Sequence, residues 1–123
     1  MLKVHTSKLG NIAVICAQGK IVRGDTETLR KAVLNQTDAR VVILDLARVN
    51  TIDAGGLGLM LELREQTESR GIEFRLRNVT KLVGRILEIT RLNSVFKISG
   101  GVELPPIRLN TNAPRFLEFR SCV

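Results

Sequence analysis

A chain of 123 residues with 44% hydrophobic and 25% charged side chains has the length and balance of one folded domain, which argues against disorder and against two independent cores. No apolar run reaches the roughly 20 residues that span a bilayer, and "MLKVHTSKLG" lacks the apolar core of a signal peptide, so a cytoplasmic protein without membrane insertion is expected. The net charge of +7 permits an anionic partner, but Arg23, Arg48, Arg64, Arg85 and the other basic residues stand singly and no aromatics line a basic groove, which argues against nucleic acid.

From the N-terminus, "LKVHTSK" and "IAVICAQ" flank Gly10-Asn11, the pattern of a β-hairpin closed by a two-residue turn. After "GKIVRG", the segment "DTETLRKAVLNQ" carries Leu29, Ala32 and Val33 at helical spacing. Glu27 falls in its electropositive first turn, and Asp25 is placed to accept backbone N–H groups as its N-cap. "VVILDL", residues 41–46, is apolar without alternation, as in a strand covered on both faces. "ARVNTIDAGG" then reads as a loop beyond the strand's carboxyl end, leading to a second helix from Gly56 to about Arg70 that Gly71 terminates. In "IEFRLR", Ile72, Phe74 and Leu76 alternate with charged residues, which predicts a strand nearer the sheet edge. Thr80 caps a third helix with Leu82, Val83, Ile86 and Leu87 on one stripe, and "SVFKIS" supplies a last strand. The order β-β-α-β-α-β-α-β predicts an α/β fold: a mixed, mainly parallel β-sheet with an N-terminal β-hairpin and helices packed on it.

The chemistry-bearing side chains are few. His5 is the one histidine, and Cys16 and Cys122 are the two cysteines, without metal-ligand spacing. Cys16 is expected to be a buried small side chain and Cys122 an exposed thiol. No catalytic residue, metal or cofactor is expected. The glycines do not make a nucleotide loop: Leu61 stands where G-x-G-x-x-G needs its third glycine, and no lysine follows as a phosphate loop requires. Asp45 and Asp53 invite comparison with a divalent-ion or acid/base pair. Without a histidine nearby, the simpler roles are a helix cap for Asp53 and backbone hydrogen bonding for Asp45. Glycine inside a helix costs roughly 1 kcal/mol relative to alanine, so Gly56 and Gly58 require a reason. Close packing on the sheet is one, and an open approach for another protein to the helix N-terminus is the other.

The stretch "ARVVILDLARVNTIDAGGLGLMLELRE", with "GKIVRGDTETLRKAV" before it and "GIEFRLRNVTKLVGRILEITRLNSVFKI" after it, resembles the STAS domain of bacterial anti-sigma factor antagonists. The likeness runs over roughly residues 3–99, giving a domain over 1–100 and a C-terminal tail over 101–123 of uncertain order. The resemblance implies a protein that is not an enzyme and binds an ATPase-like anti-sigma factor kinase, freeing a sigma factor. It places Asp45, Thr51, Asp53, Ala54, Gly55, Gly56, Leu57 and Gly58 in the partner-binding loop, with the Asp25 cap as a further candidate for the interface. The same resemblance puts the phosphoacceptor of the D-S-[ST]-G-L-G motif at Gly55, which has no hydroxyl. Thr51 is the nearest substitute, and a poor one, two residues before the aspartate. STAS domains also serve as regulatory subunits on transporter ATPases, so that role, or a small-ligand sensor module, is the alternative. In the tail, Ile107, Leu109, Phe116, Leu117 and Phe119 offer an apolar surface for a groove or for a homodimer.

Overall fold

Gly10 adopts φ 63° at the expected two-residue turn and folds β1 (Lys3–Leu9) antiparallel onto β2 (Ile12–Ile21), with Leu9 facing Ile12. The computed structural model describes residues 2–99. Within them, α1 (Glu27–Leu34), β3 (Val41–Ile52), α2 (Ala54–Ser69), β4 (Glu73–Arg77), α3 (Lys81–Ile89) and β5 (Lys97–Ser99) follow, with one turn of 3-10 helix at Leu92–Ser94. The five strands form one sheet in the order β1-β2-β3-β4-β5, in which every pair after the first is parallel. This is the mixed, mainly parallel sheet that the alternation of elements predicts.

The core lies on one face of that sheet. Ala13, Ile15 and Ala17 of β2, Val42, Leu44 and Leu46 of β3, and Phe74 and Leu76 of β4 join the buried residues of all three helices in a single cluster. Phe74 and Phe96 meet at tilted planes 6.3 Å apart. A fully buried Leu, Ile or Phe contributes about 1.5–3 kcal/mol, so this layer supplies most of the drive to fold.

Five differences from the sequence reading have local causes. First, β3 continues to Ile52, so most of the expected loop is strand: Val49, Thr51 and Ile52 pair with Gly19, Lys20 and Ile21. Two register shifts in this pairing break the two-residue rhythm, so buried Val49 and Ile52 fall three apart. Second, Asp25 does not cap α1. Thr26 holds the N-cap position without a side-chain hydrogen bond, and the Asp25 carboxylate instead accepts the Leu2 N–H at 3.0 Å, tying down the start of β1. Third, α2 begins at Ala54, two residues early, because Asp53 is its cap and the glycines sit inside its first turns. Its end follows a Schellman pattern: Gly71, at φ 79°, donates to the Glu68 carbonyl, and Ile72 donates to that of Thr67. Fourth, Thr80 caps α3 through the Val83 N–H, but Leu82 is 50% exposed and only Val83 and Leu87 are buried. The final strand keeps three residues, since the chain before it winds into the 3-10 turn. Among the described residues no helix is long and apolar enough to cross a membrane. The tail, Cys122 and the proposed dimer contact lie outside the described residues.

Candidate functional site

Where β3 ends, Asp53 clips three segments together. Its carboxylate accepts the Gly56 N–H at 2.8 Å, satisfying a donor that the first turn of α2 leaves without a partner, and accepts the Arg23 N–H at 3.1 Å on each oxygen. Its own N–H donates to the Ile21 carbonyl at 3.4 Å, and its carbonyl accepts the Leu57 N–H at 2.9 Å. The end of β2, the segment after it and the start of α2 are thus fixed relative to one another. These bonds, the Gly56 N–H first and the Arg23 N–H next, hold the Asp53 carboxyl below the usual carboxylate range.

The three glycines have three different surroundings. A β-carbon on Gly56 would stand 1.9 Å from the Ile21 carbonyl oxygen, so close packing on β2 requires glycine there. At Gly55 the β-carbon would stand 2.7 Å from Arg23 Cβ and 3.1 Å from Arg23 Cα. At Gly58 it would meet nothing within 4 Å, and Gly58 is exposed. Packing therefore accounts for Gly56 and leaves Gly58 without a steric reason. Leu57 turns inward and anchors the turn, while Asp53, Ala54 and Gly58 remain open to solvent.

The exposed Arg23, whose N–H Asp53 accepts, adds a positive charge beside the positive end of the α2 dipole. Arg23 escapes a reading of the sequence because it lies 32 positions from Gly55. The pairing of β2 with β3 brings them together.

Two of the expected loop residues lie elsewhere. Thr51 is on β3, opposite Lys20 and half-buried. Asp45 sits within β3 with roughly 25 Å of strand between it and Asp53, at about 3.3 Å per residue. It is 2% exposed and accepts from Arg77 at 2.6 Å and 3.0 Å, from Asn78 at 3.0 Å and from the Ala47 N–H at 2.9 Å. The last bond satisfies a donor at the first register shift, so Asp45 serves the backbone as expected and forms no carboxylate pair with Asp53. Its ion-pair partner Arg77 gave no sign in the sequence beyond one more charge in an alternating strand. Among the described residues no group of three or more His, Cys, Asp or Glu is placed to hold a metal ion.

The STAS domain family model matches residues 3–104. BtrV of Bordetella bronchiseptica, provisionally named an anti-sigma factor antagonist, is 27% identical over 116 residues, covering 93% of this chain and all of that protein. The crystal structure of an anti-sigma factor antagonist from Mycobacterium paratuberculosis superposes with a TM-score of 0.74 at 16% identity, covering 88% of this chain and 95% of the other. The anti-sigma factor antagonist SpoIIAA in its unphosphorylated form gives 0.69 at 17% identity, covering 85% and 93%. SpoIIAA from Bacillus in its phosphorylated form gives 0.65 at 16% identity, covering 85% and 96%.

Proposed function

This chain belongs to the STAS domain family, and we propose that it acts as an anti-sigma factor antagonist whose partner complex is not ended by phosphorylation at the helix N-terminus. It binds an ATPase-like anti-sigma factor kinase through the first turns of α2, where Asp53, Ala54 and Gly58 are exposed and Leu57 fixes the turn from inside. The protein is a binding module, with no catalytic step of its own.

The observation that carries this reading is the Arg23 backbone and side-chain stem lying against Gly55. A phosphorylated hydroxyl would bring about −1.5 to −2 charges to this turn. Residue 55 has neither the hydroxyl nor room for the β-carbon that would carry it. Thr51 is half-buried on β3 and paired with Lys20, a poor position from which to enter a kinase active site. Gly58 complements this picture: its bare backbone leaves space for a partner to approach the positive end of α2.

Affinity capture from native lysate with ATP present tests the proposal, with the captured proteins and the mass of the residue 48–64 peptide read together. An anti-sigma factor kinase held by unmodified protein is the expected result. A one-phosphate mass increase on that peptide would end the phosphorylation-blind reading, and recovery of a transporter ATPase would assign the chain to the other STAS role.

A further inference from the structure

Among the described residues, the large apolar side chains that stand open to solvent are Leu82 (50% exposed), Ile89 (77%) and Ile98 (37%), and all of them belong to α3 and β5. Exposed apolar side chains are ordinary when scattered, but here they gather at one edge of the sheet. Beside them lies a recess of about 350 Å³, with Gly84, Leu87 and Ile98 among its apolar walls and Lys81, Arg85 and Glu88 among its polar ones. At about 100° per residue, Lys81 and Arg85 run along α3 between Gly84 and Glu88 on one flank and Leu82 and Ile89 on the other. A ridge of two cations thus separates the recess from an apolar row.

Four residues here work against the stability of their own helix. Lys81 puts a cation in the electropositive first turn of α3, which holds no acid, and Arg85 repeats the charge one turn on. Gly84 stands mid-helix, where alanine is favoured, although a β-carbon there would meet only Val79 Cγ1 at an ordinary 3.6 Å. Arg91, directly after the α3 C-cap, adopts φ 62°, a left-handed conformation that favours glycine. Lys81, Arg85 and Arg91 are exposed, and no ion pair among the described residues includes any of them. Local choices that oppose the fold at several neighbouring positions mark a surface shaped by another demand.

We propose that α3 and β5 form a second docking surface, which takes an acidic amphipathic helix of a partner protein. Carboxylates on that helix meet Lys81, Arg85 and Arg91, while its apolar side chains cover Leu82 and Ile89 on one flank and enter the recess over Leu87 and Ile98 on the other. From Leu82 to Ile89 the surface runs about 10 Å at about 1.5 Å per residue, so roughly two turns of the partner cover it. A second copy of this chain would bring the same cations to the same place, with Glu88 the one acid among the described residues lining the recess. A bilayer surface could neutralise the ridge but not fill the recess. The inference is independent of what binds the first turns of α2, which follow the end of β3, two strands in from β5.

The test uses the full chain and a fluorescent synthetic helix with leucines along one stripe and glutamates beside them, against a control peptide in which lysine replaces each glutamate. Anisotropy should report binding of the acidic peptide alone, and amide shifts on titration of the isotope-labelled chain should fall within residues 81–98 and spare residues 53–58. Lys81→Glu together with Arg85→Glu should abolish binding. Arg91→Gly and Gly84→Gln should each weaken it several-fold while the melting temperature holds or rises, since the first relaxes the backbone and the second fills the recess with a better helix former. No binding of the acidic peptide, equal binding of both peptides, or binding that survives the charge reversal would overturn the proposal. So would a dimer that the charge reversal dissolves, which would assign the surface to a second copy, or binding only to vesicles of anionic lipid, which would assign it to a membrane.

Discussion

Gly56 lies so close beneath Ile21 that a methyl group on it would stand 1.9 Å from the Ile21 carbonyl oxygen and 2.8 Å from the carbonyl carbon. The obstacle is backbone, which no rotamer change relieves. Gly56→Ala should therefore destabilise the domain by about 3 kcal/mol, the upper part of the range for overpacked sites. Gly58→Ala meets nothing and removes a helix-interior glycine, so it should stabilise by up to about 1 kcal/mol while weakening partner binding. Urea denaturation alongside titration with the captured partner separates the two effects. If Gly58→Ala binds as tightly as the parent chain, the exposed glycine has no part in the contact.

Gly55 and Arg23 form a second, softer conflict. Gly55→Ser places Cβ 2.7 Å from Arg23 Cβ and should cost about 1–2 kcal/mol as the segment after β2 shifts. Arg23→Gly removes the obstructing stem. The double variant should recover part of the loss, with a coupling of at least about 0.5 kcal/mol as found for residues in contact. It should also offer the partner kinase a serine that it can phosphorylate, checked by intact mass after incubation with ATP. Additive stabilities would show that Arg23 does not restrict residue 55.

The hairpin, the alternation of helices and strands and the cap at Asp53 were legible in the sequence because each rests on neighbours within a few positions. Gly10-Asn11 needs only its own turn, and Asp53 needs only the N–H three residues ahead. The far half of β3 was not legible. Its register shifts place buried Val49 out of phase with Val42, Leu44 and Leu46, and it is held by pairing with β2 some thirty residues earlier. The reason for Gly56 was hidden for the same cause, since Ile21 meets it only after the sheet forms. Asp25 misled because two adjacent oxygen-bearing residues compete for one cap position; the structure gives it to Thr26 and sends Asp25 to Leu2.

Asp53 makes stability depend on pH in a defined direction. Its folded-state pKa lies below the ordinary value, so the unfolded chain takes up its proton first as pH falls. The contribution is fully present above the unfolded pKa, near 4, and is lost as pH drops through the lower folded value. Asp53→Asn should therefore melt at a lower temperature than the parent at pH 7, with the gap shrinking at acid pH as the parent loses the charge that the variant never had. Thermal melts of both proteins from pH 7 down to about 2.5 check this. A gap that stays constant across the range would mean that the carboxylate charge adds nothing to the cap.

The buried pair Asp45–Arg77 bears on shape more than on binding. Asp45, 2% exposed, accepts from Arg77, Asn78 and the Ala47 N–H at once, so it joins β4 to the first register shift of β3. Asp45→Ala removes the counter-charge of a buried guanidinium and should cost about 3–5 kcal/mol in urea denaturation. Replacing both residues by apolar ones of similar size, Asp45→Leu with Arg77→Met, removes both desolvation penalties and should recover much of that loss. The Ala47 N–H loses its acceptor in either variant. Its hydrogen exchange should therefore stay fast in the double variant even where global stability returns. Slow exchange there would show that the backbone irregularity is held by strand pairing without Asp45, leaving the carboxylate as the partner of Arg77 and Asn78 alone.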